Sequence, residues 1–172
     1  DLANCELNIR YTRVHRTAMA RAVEQLRRRA LEQADARRCR QCGELLPAVT
    51  VVSQAVGVTC AACSGANVVD PGPAMRMFAA GAIYLGQVAA ADAWDSWKRA
   101  EARIDNYRNK GDVPMALLKE LESSARQYWT TTLSVEAEHV PELQPHVVAK
   151  VDSYMKEVRK KLQDFWQWRQ QV

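Results

Sequence analysis

Residues 39–70 read CRQCGELLPAVTVVSQAVGVTCAACSGANVVD, and this stretch decides how the rest of the chain is divided. Its two cysteine pairs, Cys39-x2-Cys42 and Cys60-x2-Cys63, have seventeen residues between them. Each pair closes a short knuckle, and two knuckles supply four thiolates to one tetrahedral Zn²⁺ at about 2.3 Å. Such a site keeps no position open for water, so one structural zinc is expected. Helical periodicity stops at Cys39, and β-branched residues rise at Val49-Thr50-Val51-Val52, Val56, Val58 and Thr59. With Gly43, Pro47, Gly57 and Gly65 as punctuation, this predicts a small hairpin between the knuckles. A short extended piece follows at Asn67-Val68-Val69, and Asp70-Pro71-Gly72-Pro73 closes the module as a turn.

On both sides the pattern is helical. Upstream, residues 10–37 read as one helix whose apolar arc runs through Tyr11, Val14, Ala18, Met19, Ala22, Val23, Leu26 and Ala30. Arg10, Arg21 and Arg28 line one flank of that arc, and Arg13, Arg27 and Arg38 lie towards the back. Downstream, Pro73 suits the first turn of a second helix ending near Asn109. Its stripe rotates from Met77, Phe78, Tyr84 and Val88 to Trp97, Ala100, Ile104 and Tyr107, which implies a bend or a change of partner. Asp112 and Pro114 open a third helix with a clean face through Leu117, Leu121, Ala125, Tyr128 and Thr132. Pro145 opens a fourth, with Val147, Val151, Met155, Val158 and Leu162 in register. The expected fold is mainly α, with long antiparallel helices and a small β zinc-ribbon module after the first. The expected divisions are an Arg-rich helix over 1–38, the zinc module over 39–72 and a bundle of three long helices over 73–172.

Composition agrees with that class. The 172 residues include only 7 Gly and 6 Pro, which favours long helices over a turn-rich β fold. No run of 18 apolar residues is present, and the uncharged stretch from Met77 to Ala91 is too short to span a bilayer. The net charge of +4 is uneven: residues 1–40 hold ten Arg and five acids, and the remainder holds 14 basic and 15 acidic residues. The basic excess therefore belongs to the first helix and bears on partners. Cys5 is the fifth cysteine and reads as a lone reduced thiol, so the odd count fits an intracellular, reducing compartment. The first residue is Asp1 and not Met, which is compatible with a targeting segment ahead of it.

Cys39-Arg-Gln-Cys42-Gly43 and Cys60-Ala-Ala-Cys63-Ser-Gly65 resemble the zinc ribbon family. The resemblance implies one zinc held by Cys39, Cys42, Cys60 and Cys63, and β-strands linking the knuckles. It also implies a Gly just after each pair, letting backbone amides approach the thiolates. It covers about 30 of the 172 residues. Zinc ribbons serve transcription, translation, enzymes and scaffolding, so no single activity follows. The pair spacing is also similar to the zinc finger capping the helical hairpin of certain RNA-polymerase regulators, without the basic and proline pattern expected there.

Other residues suggest weaker chemistry. The Arg-rich helix suits nucleic-acid phosphates. Asp92 and Asp95 continue an apolar stripe, and Glu136-Ala-Glu-His139 spells ExxH, so a carboxylate–imidazole metal site in the bundle is an alternative. His15 and His146 have no acid or nucleophile pattern nearby. Phe165-Trp166-x-Trp168 offers core aromatics plus one Trp off the stripe, suited to anchoring a partner. No P-loop, GxGxxG, GxSxG or HExxH occurs, and no small-molecule substrate is evident. The expected function is a non-catalytic structural or assembly subunit contacting other protein subunits. A nucleic-acid-associated zinc ribbon protein is the alternative, and a metalloenzyme using Asp92, Asp95, Glu136 and His139 in the bundle is a weaker one.

Overall fold

The computed structural model of the chain describes residues 2–32, 38–47, 49, 52–107 and 113–170, with the backbone alone for 164–170. Among these the protein is mainly helical, with one small antiparallel sheet after the first helix. Helix α1 spans Leu2–Glu32 and begins eight residues earlier than the periodicity predicted. Nothing between Leu2 and Arg10 breaks a helix, and Ile9 extends the buried face. The last predicted turn, 33–37, lies outside the described residues.

Strands β1 (Val56–Thr59) and β2 (Ala66–Val69) pair from Val56 opposite Val69 to Thr59 opposite Ala66. The hairpin therefore encloses the second knuckle, and of the β-branched run expected to pair between the knuckles Thr50 and Val51 lie outside the described residues. The knuckle itself serves as the turn. An isolated antiparallel bridge between Arg38 and Leu45 encloses the first knuckle in the same manner. Asp70 then closes the module: its Oδ1 accepts the Gly72 amide at 2.7 Å, with Gly72 at φ 83°.

The single helix expected over 73–109 is three, α2 (Gly72–Gly81), α3 (Ile83–Ala89) and α4 (Ala91–Asp105). The line through α2 and α3 meets α4 at 69°, which accounts for the rotated stripe. No side chain caps the breaks at Ala82 and Ala90. Helix α5 (Met115–His139) starts after Pro114, a 3-10 turn covers Pro141–His146, and α6 runs over Val147–Gln170. The expected capping residue Asp112 lies outside the described residues. Among the described residues no single helix is long and apolar enough to cross a membrane.

Helix α5 is the centre, packing on α3, α4 and α6, while α1 lies across α2, α3 and α4. The main core joins Trp97, Ala100 and Ile104 to Leu121, Ala125, Tyr128 and Met155. Two glycines set the crossings. A Cβ at Gly86 would collide with the backbone carbonyl of Thr132, and one at Gly81 would stand 2.5 Å from a methyl of Val23. Helices α3 and α5 thus meet at backbone contact.

Helix α1 buries only part of the arc its sequence suggested. Tyr11 and Val14 are each 71% exposed, while Ile9, Ala20, Val23 and Ala30 are buried. Arg13, placed at the back from periodicity alone, faces α4 and donates to Asp95 Oδ2 at 2.8 Å and Asp92 Oδ1 at 2.6 Å. Arg16 lies over Trp94, 4.0 Å from the ring centre, and 5.3 Å from Tyr128. Two arginines occupy the interface because α4 and α5 offer carboxylates and ring faces there.

A four-thiolate candidate metal centre

The two knuckles are copies of one local design. In the first, the Cys39 amide donates to the Glu44 carbonyl at 2.7 Å and the Gly43 amide to the Cys39 carbonyl at 2.9 Å. In the second, the Cys60 amide donates to the Gly65 carbonyl at 3.0 Å and the Ser64 amide to the Cys60 carbonyl at 2.9 Å. The fourth residue after each leading cysteine is left-handed, Gly43 at φ 77° and Ser64 at φ 57°. The glycine expected to relax the second knuckle, Gly65, thus stands one place later. It sits close under Gln41 and Cys63 Sγ instead.

These turns converge all four sulfurs. Cys39 Sγ lies 3.6 Å from Cys63 Sγ, Cys42 Sγ lies 3.6 Å from Cys60 Sγ, and all four fall within 4.8 Å of one another. A tetrahedron with bonds of about 2.3 Å has edges of about 3.8 Å, so the cluster matches the size required for one zinc. The sulfurs are free thiols, well beyond the ~2.05 Å of a disulfide. Cys39 and Cys60 are buried, Cys63 is half-buried and Cys42 faces solvent. The four cysteines are positioned to bind a metal ion.

Polar groups around the sulfurs favour negative charge at one of them. The amides of Cys42 and Gln41 and the Asn67 side chain draw Cys39 down to about 6. The Gly65 amide favours a thiolate at Cys63, but the adjoining thiols and lost solvent outweigh it and push Cys63 up to about 12. Cys42 also rises: the Glu44 amide and Cys63 pull it down, and desolvation with Cys60 and Cys39 outweighs them. Four touching sulfurs cannot all ionise alone; a divalent cation would displace their protons.

The sequence placed Asn67 in a short extended piece but assigned it no role at the site. It is buried on β2, accepts the Arg40 amide at 3.0 Å, and donates to the Gly65 carbonyl at 2.9 Å and to Cys39 Sγ at 3.4 Å. One side chain thereby ties the two knuckles to the Cys39 sulfur.

The module is also fixed to the bundle. Glu142, at the corner between α5 and α6, accepts the amides of Val52 and Ser53 at 3.1 and 2.9 Å. Burial raises its carboxyl pKa, and the hydrogen bonds from Ser53 and Val52 outweigh this, holding it below its usual value. Val52 packs beside Ala79, Ala82 and Val140 at the same corner.

The remaining candidates do not converge. Asp95 is buried and Asp92 exposed, and both are held by Arg13. Glu136 is half-buried, and burial raises its pKa against the pull of Lys150. His139 packs edge-on against Phe78 with ring centres 5.8 Å apart. Among the described residues, the four cysteines are the one group of three or more His, Cys, Asp or Glu side chains whose ligand atoms gather. His15 lies between the rings of Tyr11 and Tyr84, and His146 is exposed. Cys5 donates to the Lys98 carbonyl at 3.4 Å, and burial pushes its thiol up. The side chains of Phe165, Trp166 and Trp168 lie outside the described residues. Comparison with family models, curated proteins and solved structures finds no match to this chain.

Proposed function

We propose that this protein is a non-catalytic assembly subunit in which one structural Zn²⁺, held in a ribbon-like module by Cys39, Cys42, Cys60 and Cys63, sets the approach of α1 and the inter-knuckle loop to the helical bundle. The observation carrying this reading is the four-sulfur cluster itself, which fills every position of a tetrahedral ion. The Glu142 clasp supports it, since it docks the module on the bundle at the corner between α5 and α6. The outer helix faces then serve as contacts for other proteins. Four reduced thiols suit an intracellular, reducing compartment.

Cobalt substitution tests the closed centre. Co²⁺ bound by the full chain should show a four-thiolate tetrahedral spectrum that added azide or cyanide leaves unchanged. A spectrum that shifts with those anions would reveal an exchangeable position and defeat the structural reading.

A second reading, nucleic-acid binding, is favoured by the exposed Arg21, Arg27, Arg28 and Arg29 on the last turns of α1. It requires affinity that falls steeply with salt and is lost in Arg21→Glu with Arg28→Glu. Salt-insensitive or absent binding disposes of it.

A further inference from the structure

We propose that the outward face of α1 is the docking site for an acidic amphipathic helix of a partner protein, a refinement that rests on the assembly reading above. Leu7, Tyr11, Val14 and Ala18 follow one another at spacings of four, three and four, and all are exposed, Leu7 by 64%. Single exposed apolar residues are ordinary on a protein surface; a continuous seam with the spacing of a helix–helix contact is not. The opposite side of α1 is already used, by Ile9, Arg16 and Val23 against the bundle. The seam is therefore a second apolar face on one helix, and it extends sideways through ring contacts from Tyr11 to His15 and from His15 to Tyr84 of α3.

Charge selects the occupant. Arg10 and Arg21 border the seam, are exposed, and have no ion pair among the described residues. Glu6, four residues before Arg10, is clasped by Arg99 of α4 at 2.6 Å. No acid occurs between Glu6 and Glu24 on α1. A second copy would bring arginine-bordered seams together, whereas a helix carrying carboxylates beside its apolar stripe neutralises them. The seam from Leu7 to Ala18 is about 17 Å long at 1.5 Å per residue, so contact with α1 alone would be transient.

The full zinc-loaded chain can be titrated with a helical peptide of about three heptads, bearing Leu on its seam and Glu on both flanks. A peptide with Lys in place of Glu, phosphatidylserine-containing vesicles and a DNA duplex serve as rival probes. The Glu peptide should bind at least 10-fold more tightly than the Lys peptide. Tyr11→Glu with Val14→Glu should abolish binding, and Arg10→Glu with Arg21→Glu should reverse the preference between peptides. Unaltered thermal melting of these surface variants shows that they fold. Equal binding of both peptides, binding indifferent to the variants, or tighter binding of vesicles or duplex through the same residues would overturn the proposal. The cobalt spectrum of the same samples separates the two failures: a closed centre with no peptide preference removes only this docking site.

Discussion

Ser64 holds a left-handed backbone at φ 57°, where a side chain costs about 1–2 kcal/mol, while its counterpart Gly43 sits there freely. Ser64→Gly should therefore stabilise the zinc-loaded chain by about 0.5–1 kcal/mol, read from thermal melts, and Gly43→Ala should do the reverse. No gain in Ser64→Gly would show that the second knuckle is not strained. Asn67→Ala should weaken zinc binding about 10-fold in a chelator competition, because it removes a donor to Cys39 and leaves the Arg40 amide unpaired. Unchanged affinity would reduce Asn67 to packing. The four clustered cysteines were legible because CxxC spacing is local chemistry. Asn67 was not, since its value comes from lying opposite another knuckle; the one signal was an asparagine in a strand, where it is disfavoured.

Helices α3 and α5 touch at Gly86, and Gly86→Ala should cost about 3 kcal/mol because the added methyl meets the Thr132 backbone and not a movable side chain. Urea unfolding measures this, and a cost under about 0.5 kcal/mol would mean the crossing is loose. At the other junction, Glu142→Gln should weaken the clasp on Val52 and Ser53, raising amide exchange there. The folded carboxyl lies below its usual 4.5, so its stabilisation is complete above that pH and is lost as pH falls through the lower folded value. The glutamine variant should lack that increment of acid sensitivity, and an identical acid profile would count against the clasp. Helices α5 and α6 were readable because Leu117, Leu121, Tyr128, Val151 and Met155 keep one stripe. Helix α1 misled because its inner face includes Arg13 and Arg16, whose partners Asp92, Asp95 and Trp94 lie about 80 residues away in sequence.

For the whole molecule, the expected outcome of zinc removal is selective. Chelation, or Cys60→Ala, should cost several kcal/mol in the module, since metal binding there is folding energy. Hydrogen exchange should rise across 38–69 while the core around Tyr128 and Met155 stays protected. Protection lost uniformly through α5 and α6 would show that metal and bundle fold as one unit. The sequence conveyed the class, helices around a cysteine module, but not that α1 crosses the molecule to lie on α2, α3 and α4. That crossing has a consequence at the ribosome. Arg13 emerges 79 residues before Asp92 and 82 before Asp95, a wait of roughly 4–16 s at ordinary elongation rates. Helices α2 and α3 emerge sooner and cover their part of the nascent first helix, so it is the Arg13 side that waits longest for its partners.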